Sequence, residues 1–124
     1  MNWTAIAAFL LALAVALGAF GAHGLKDVLD AHLMNVWEKA VFYHFVHALG
    51  LLAIGLAGRA GALSKTLITR VGALLLAGIV LFSGSLYALA LTRLNVLGAI
   101  TPVGGVAFIA AWIVLGFALV RREN

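Results

Sequence analysis

The side chains that could perform chemistry in this sequence are histidines and hydroxyl groups set among apolar residues. The candidates are His23, His44, His47, Ser83, Ser85, Tyr87 and Thr101. Neutral imidazole is a common metal ligand, and ionisable groups inside a membrane are candidates for proton paths. However, His23 and His47 without a nearby carboxylate are a poor zinc site, and the chain has no cysteine for thiolate ligation. The sequence therefore predicts neither a metal nor a cofactor.

A serine nucleophile is the other chemistry that these residues could supply. Ser83 and Ser85 flank Gly84, and a histidine could act as their base. A catalytic base is normally oriented by a third group, and no carboxylate is placed beside these histidines. Small residues of this kind are more typical of helices that pack closely in lipid. We therefore predict that the protein is not an enzyme and that the polar side chains form an interhelical hydrogen-bond network.

The composition indicates which elements must hold these side chains. The chain has 124 residues, of which 65% are hydrophobic and 10% charged, whereas a soluble domain carries roughly 25% charged residues. So few charges cannot cover a globule in water, and the composition predicts a membrane protein with a single domain. The formal net charge of +4 comes from cations near the ends of apolar segments, a pattern that does not indicate nucleic-acid binding.

Four apolar segments are long enough to cross a bilayer, which takes roughly 20 helical residues. They cover residues 3–22, 37–57, 71–91 and 98–120. Only helices or closed barrels satisfy the backbone in lipid, and these segments lack the alternation of barrel strands. We therefore predict an all-α membrane protein, an antiparallel bundle of four transmembrane helices. The first segment has an alternative interpretation as a cleaved signal peptide ending near Gly21, but no cation precedes it.

The stretch after the first segment has a helical pattern of its own. Lys26, Asp27 and Asp30 fall on one side of it, and the other side is apolar. We predict a short amphipathic helix over residues 25–35 that lies in the membrane interface. The residues predicted to face the membrane are Leu25, Val28, Leu29 and Leu33.

Small residues predict where helices approach each other closely. In the first segment they recur at a spacing of four, and in the third and fourth they stand beside the polar side chains. The predicted packing positions are Ala14, Gly18, Ala22, Gly84, Pro102, Gly104 and Gly105.

The polar side chains converge on one depth when the helices are placed in a membrane. At a rise of about 1.5 Å per residue, all of them fall in the half that borders the first and third loops. We expect His47 to be more buried than His23 and to form a hydrogen bond to the third helix near Ser83 or Tyr87.

The distribution of cations predicts the orientation. The side with both termini carries Arg59, Lys65, Arg70, Arg121 and Arg122, and the other side carries Lys26, Lys39 and Arg93. Because short cytoplasmic loops are enriched in cations, this bias favours both termini in the cytoplasm of a cell with the chain in its inner membrane.

Four blocks together resemble a known family. "GAFGAHGLK", "YHFVHALGLL", "VLFSGSLYALAL" and "TPVGGVAFIAAW" occur in this order over nearly the whole chain. They are similar to the small inner-membrane proteins grouped as domain of unknown function 423. The resemblance implies a four-helix membrane fold and no particular activity. His44 departs from the family pattern, which often has glutamine there, so the resemblance favours a hydrogen-bonding role that glutamine could also fill.

Two kinds of function fit these expectations. The first is a non-catalytic packing or accessory protein whose partners are the lipid bilayer and either a second copy of the chain or a larger membrane complex. The alternative is a binder or conduit for a lipid or small molecule that uses the polar cluster in the outer half of the bundle.

Overall fold

A computed structural model describes residues 1–123, and within this range it contains helices and turns but no strand. The four long helices are α1 (Trp3–His23), α2 (Ala31–Arg59), α3 (Lys65–Thr92) and α4 (Thr101–Glu123). A short 3-10 helix, Asn95–Ala99, precedes α4. All four of the long helices have the length and apolar composition needed to cross a membrane. The prediction of an all-α bundle with four spans is confirmed.

The helices run up and down, and each packs against the helix before it in the chain. We call the end that holds Trp3 and Arg59 the terminal end, and the end that holds His23 and Thr92 the loop end. α2 contacts all three other helices, whereas α1 and α4 expose many apolar side chains, such as Phe9 and Phe117. In a membrane these side chains contact lipid, which removes the cost of exposing them to water.

The interface of α1 and α2 is organised by Trp37, which is almost completely buried. Its indole nitrogen donates a hydrogen bond to the carbonyl oxygen of Leu17, with 2.9 Å between the two atoms. Gly21 provides the space for the ring, because a Cβ at this position would lie only 2.4 Å from Nε1 of Trp37. The ring also packs on Tyr87 of α3, with 4.8 Å between the centroids.

The separate interfacial helix over residues 25–35 is not formed. Residues 24–29 form turns and bends. Asp30 begins α2 as its N-cap, because its carboxylate accepts a hydrogen bond from the amide of Leu33. Leu25 and Leu29, which we predicted to face the membrane, are buried together with Leu33 against the loop end of α3. An amphipathic pattern requires an apolar environment, and here the bundle itself provides it.

The loop end is also held together by Arg93. This residue ends α3 in the left-handed conformation (φ 60°) and donates a hydrogen bond from its guanidinium to the carbonyl oxygen of Val28. The first loop is therefore connected directly to the segment that leads into α4.

Candidate functional site

His44 and Tyr87 form the first polar contact in the loop-end half of the bundle. Nδ1 of His44 on α2 lies 2.9 Å from the hydroxyl oxygen of Tyr87 on α3. The His44 side chain is 1% exposed, and its other ring nitrogen, Nε2, has no hydrogen-bond partner of good geometry among the described residues, although the backbone of Leu10 on α1 lies beside the ring. The histidine that bonds to α3 is therefore His44.

Our expectation for His47 was half right. His47 is buried and His23 is exposed, as predicted, but the predicted hydrogen bond from His47 to α3 is wrong. Nδ1 of His47 donates to the carbonyl oxygen of Tyr43, one turn earlier on the same helix, at 2.7 Å. Its ring stacks on Phe108 of α4, with 3.5 Å between the centroids and 10° between the planes. His47 thus contributes to the packing of α2 against α4.

Ser83 forms the second polar contact between α2 and α3. It is completely buried, and its hydroxyl donates to the carbonyl oxygen of Ala40 at 2.8 Å. Ser83 ends a π-helical turn, Ile79–Ser83, within α3. Such a turn inserts one extra residue into an α-helix and is often found at functional positions.

Ser85 and Thr101 connect α3 to α4. Their hydroxyl oxygens are 2.6 Å apart, and the hydroxyl of Ser85 also lies 2.9 Å from the carbonyl oxygen of Phe82. Because a serine hydroxyl has one proton, Ser85 donates to Phe82 when Thr101 donates to Ser85. The carbonyl oxygen of Phe82, which belongs to the π turn, is thus satisfied by a side chain.

These side chains do not form one cluster. The structure arranges them as separate contacts: two between α2 and α3, one between α3 and α4, and one within α2. His23 lies at the end of α1 with its side chain exposed, apart from these contacts. The arrangement can hold helices in register, but no hydroxyl group lies within hydrogen-bond distance of a histidine except that of Tyr87, so the described residues contain no serine–histidine pair.

The described residues also contain no group of three or more histidine, aspartate or glutamate side chains that could hold a metal ion. The rings of His44 and His47 lie about one turn apart on α2. The Nδ1 atom of His44 is bonded to the hydroxyl of Tyr87, and that of His47 to the carbonyl oxygen of Tyr43, so the two atoms do not share a ligand.

The predicted packing positions fall into two groups. Gly104 is buried, and a Cβ there would lie 2.3 Å from the backbone nitrogen of Phe82, so α4 crosses α3 in direct backbone contact at the π turn. Ala14 is buried and Gly18 faces Val41 of α2. The other positions contribute less to packing: Ala22 and Pro102 are exposed, Gly105 only approaches the ring of Phe82, and a Cβ at Gly84 would meet no atom within 4 Å.

The sequence-based predictions missed two features of this half. The hydrogen bond of Trp37 to Leu17 was not anticipated, although an indole in an apolar span signals a need for an acceptor. The contact of Gly21 with the same ring was also missed, because Gly21 was not among the predicted packing positions.

Four apolar helices, interior hydrogen bonds that join them and an apolar outer surface define this chain as an integral membrane protein. The family model described as "Protein of unknown function (DUF423)" matches residues 17–105. The chain therefore belongs to this family, as the sequence resemblance predicted.

Relatives support the same assignment. The chain is 53% identical over 103 residues to the UPF0382 membrane protein SSP2132 of Staphylococcus saprophyticus, which covers 83% of each chain. It is 51% identical over 110 residues to the UPF0382 membrane protein YwdK of Bacillus subtilis, which covers 88% of each chain. No solved structure matches the chain.

Proposed function

We propose that the protein is a non-catalytic accessory subunit that acts by lateral contact with another membrane protein. The observation that carries this proposal is how the polar side chains are used. The hydroxyls of Ser83 and Ser85 and the Nδ1 atom of His44 are bonded to other groups of the bundle, and the unbonded Nε2 of His44 belongs to a ring that is only 1% exposed. A site that binds or converts a substrate needs polar groups that are available to it, whereas groups that bond to each other stabilise a packed bundle.

A groove between α1 and α2 is the surface that fits a partner. It lies near the loop end and has a volume of about 350 Å³, and its lining is apolar except for Glu38. Gly18 and Ala22 form its α1 side, and Phe42 and Phe45 belong to its α2 side. Small residues four apart allow another transmembrane helix to approach closely, and aromatic side chains beside them supply contact area. The proposed occupant is a transmembrane helix of a different subunit.

Photo-crosslinking in native membranes tests this contact. With a photoreactive residue at position 22, which lines the groove, we expect one defined protein to be crosslinked, because the partner helix would lie against this position. The control is position 16, also exposed on α1, which points away from the groove because two residues correspond to about half a helical turn from Gly18.

The outcomes of this experiment are distinct. One protein adduct at position 22 that is missing at position 16 supports the accessory role. Adducts to a second copy of the chain would contradict the proposed hetero-oligomer and indicate a homo-oligomer instead. Lipid adducts alone at both positions would contradict lateral contact and favour a lipid or small-molecule binder.

We further propose that the protein lies in the inner membrane with both termini in the cytoplasm. The terminal end carries five of the eight cations, including Arg59 and Lys65, and three of the four acidic residues lie toward the loop end. A reporter fused after the last residue is expected to be cytoplasmic, and one inserted near Asp30 is expected to be on the opposite side. A cytoplasmic signal from the Asp30 insertion would contradict this orientation.

A further inference from the structure

A cavity of about 490 Å³ lies at the terminal end, far from the polar contacts described above. It forms where α1 begins, α2 ends and α3 begins. Two cationic side chains, Arg59 and Lys65, line it together with the polar side chains of Asn2 and Thr4. No acidic side chain lines it among the residues that the structure describes.

Arg59 is held in place by neutral groups. Its Nη1 donates to the hydroxyl oxygen of Thr4 at 3.0 Å, and that hydroxyl donates to the side-chain oxygen of Asn2 at 2.8 Å. These partners orient the guanidinium without neutralising its charge. A guanidinium has five N–H donors in a planar arrangement that matches a phosphate, so most of its donors remain available to a ligand.

The helix ends add to the positive potential. α1 and α3 both begin at this cavity, capped by Asn2 and Ser64 respectively. The N-terminal end of a helix carries a partial positive charge and favours an anion. The two cations and the two helix N-termini therefore all favour the binding of an anion in the cavity.

Apart from Thr69, the remaining side chains that line the cavity are apolar. Trp3 and Ile68 line it, and Gly55 and Gly58 contribute backbone without side chains. Tryptophan is enriched at the membrane–water interface, where lipid headgroups lie. A ligand that fills such a cavity would be amphiphilic, with an anionic group near Arg59 and apolar parts against Trp3 and Ile68.

We propose that this cavity binds the phosphate group of an anionic phospholipid, with Arg59 and Lys65 as the ligating side chains. Basic pockets between transmembrane helices recognise anionic headgroups in this way. The site is separate from the groove proposed for a protein partner and does not depend on it.

Native mass spectrometry of the detergent-solubilised wild-type protein provides the first test. The probes are dioleoyl phosphatidylglycerol, dioleoyl phosphatidylcholine and inorganic phosphate. We expect the anionic lipid to be retained at least several-fold more than the zwitterionic lipid, and inorganic phosphate at equal concentration to leave the retention of the anionic lipid unchanged.

A pair of double variants locates the site. Arg59→Gln with Lys65→Gln is expected to weaken retention of phosphatidylglycerol by about 25-fold, since each cation near an anionic lipid contributes roughly a factor of five. The matched control is Arg121→Gln with Arg122→Gln, which removes the same charge at the same end from residues that do not line the cavity. Thermal melting checks that both variants fold, and Arg59→Lys with Lys65→Arg, which keeps both charges, is expected to retain the lipid.

The results decide between three interpretations. Loss of lipid in the cavity variant, with retention in the control, supports the proposal. Equal losses in both double variants would show general surface electrostatics and overturn the site. Equal retention of both lipids by the wild type, or displacement of the lipid by inorganic phosphate, would overturn the assignment to an anionic phospholipid.

Discussion

Replacing Gly104 by alanine is expected to lower the free energy of unfolding by about 3 kcal/mol, because the new methyl group would collide with backbone. The added Cβ would lie 2.3 Å from the nitrogen and 2.8 Å from Cα of Phe82. Backbone in a helix cannot rotate away as a side chain can, so α4 must move outward. That displacement also stretches the contact between Ser85 and Thr101, which now measures 2.6 Å.

Chemical unfolding of the purified protein in detergent measures this effect, and two glycines provide controls. Gly116 lies on the same helix and Gly84 on the facing helix, and a Cβ at either position would meet no atom within 4 Å. Alanine at these positions is expected to be neutral or to stabilise by up to about 1 kcal/mol through helix propensity. If Gly104→Ala unfolded at the same denaturant concentration as Gly116→Ala, the direct backbone contact would be refuted.

The second large effect is expected for His44→Ala. This change removes a buried ring, leaves a cavity and leaves the hydroxyl of Tyr87 without its partner. Unsatisfied buried polar groups cost about 1–3 kcal/mol, and the cavity adds to this, so we expect a loss of about 3 kcal/mol in the free energy of unfolding. Tyr87→Phe leaves no cavity but leaves Nδ1 of the buried His44 without its partner, so it is expected to cost about 1 kcal/mol.

A double-mutant cycle isolates the contact. His44→Ala combined with Tyr87→Phe is expected to cost less than the sum of the single changes, because the orphaned hydroxyl is absent. His44→Gln is expected to be milder than His44→Ala, since an amide can both donate and accept. His23→Ala serves as the control, because this side chain is exposed. Strict additivity in the cycle, or equal losses for His23→Ala and His44→Ala, would contradict a role for this hydrogen bond.

The four spans, and the half of the bundle that holds the polar side chains, could be predicted from the sequence because lipid imposes long helices. A bilayer requires long apolar helices, and the rise per residue then fixes the depth of each side chain. The sequence does not indicate which helix His44 contacts and which helix His47 contacts. His44 and His47 are three residues apart and lie on nearly the same face of α2, so only the positions of α3 and α4 decide their partners.

The residues of the first loop show a second limit of prediction from the sequence. The pattern of Leu25, Leu29 and Leu33 is correct as an apolar face, but periodicity does not say whether lipid or protein covers it. Aspartate favours the N-cap position, and Asp30 does begin α2, but the prediction assigned this residue to the charged side of an interfacial helix. The π turn and the contact at Gly104 depend on how α3 and α4 cross, which no local pattern encodes.

The up-and-down order of the helices has a consequence for biogenesis. Because each helix packs against its predecessor, most contacts are local, and each span can dock as soon as it leaves the insertion machinery. α4 arrives last, and only it covers His47 through Phe108 and closes on Phe82 through Gly104. A chain stalled before α4 would therefore present the imidazole of His47 and the π turn to lipid, where a polar side chain is costly, so the insertion of α4 removes this cost and completes the bundle.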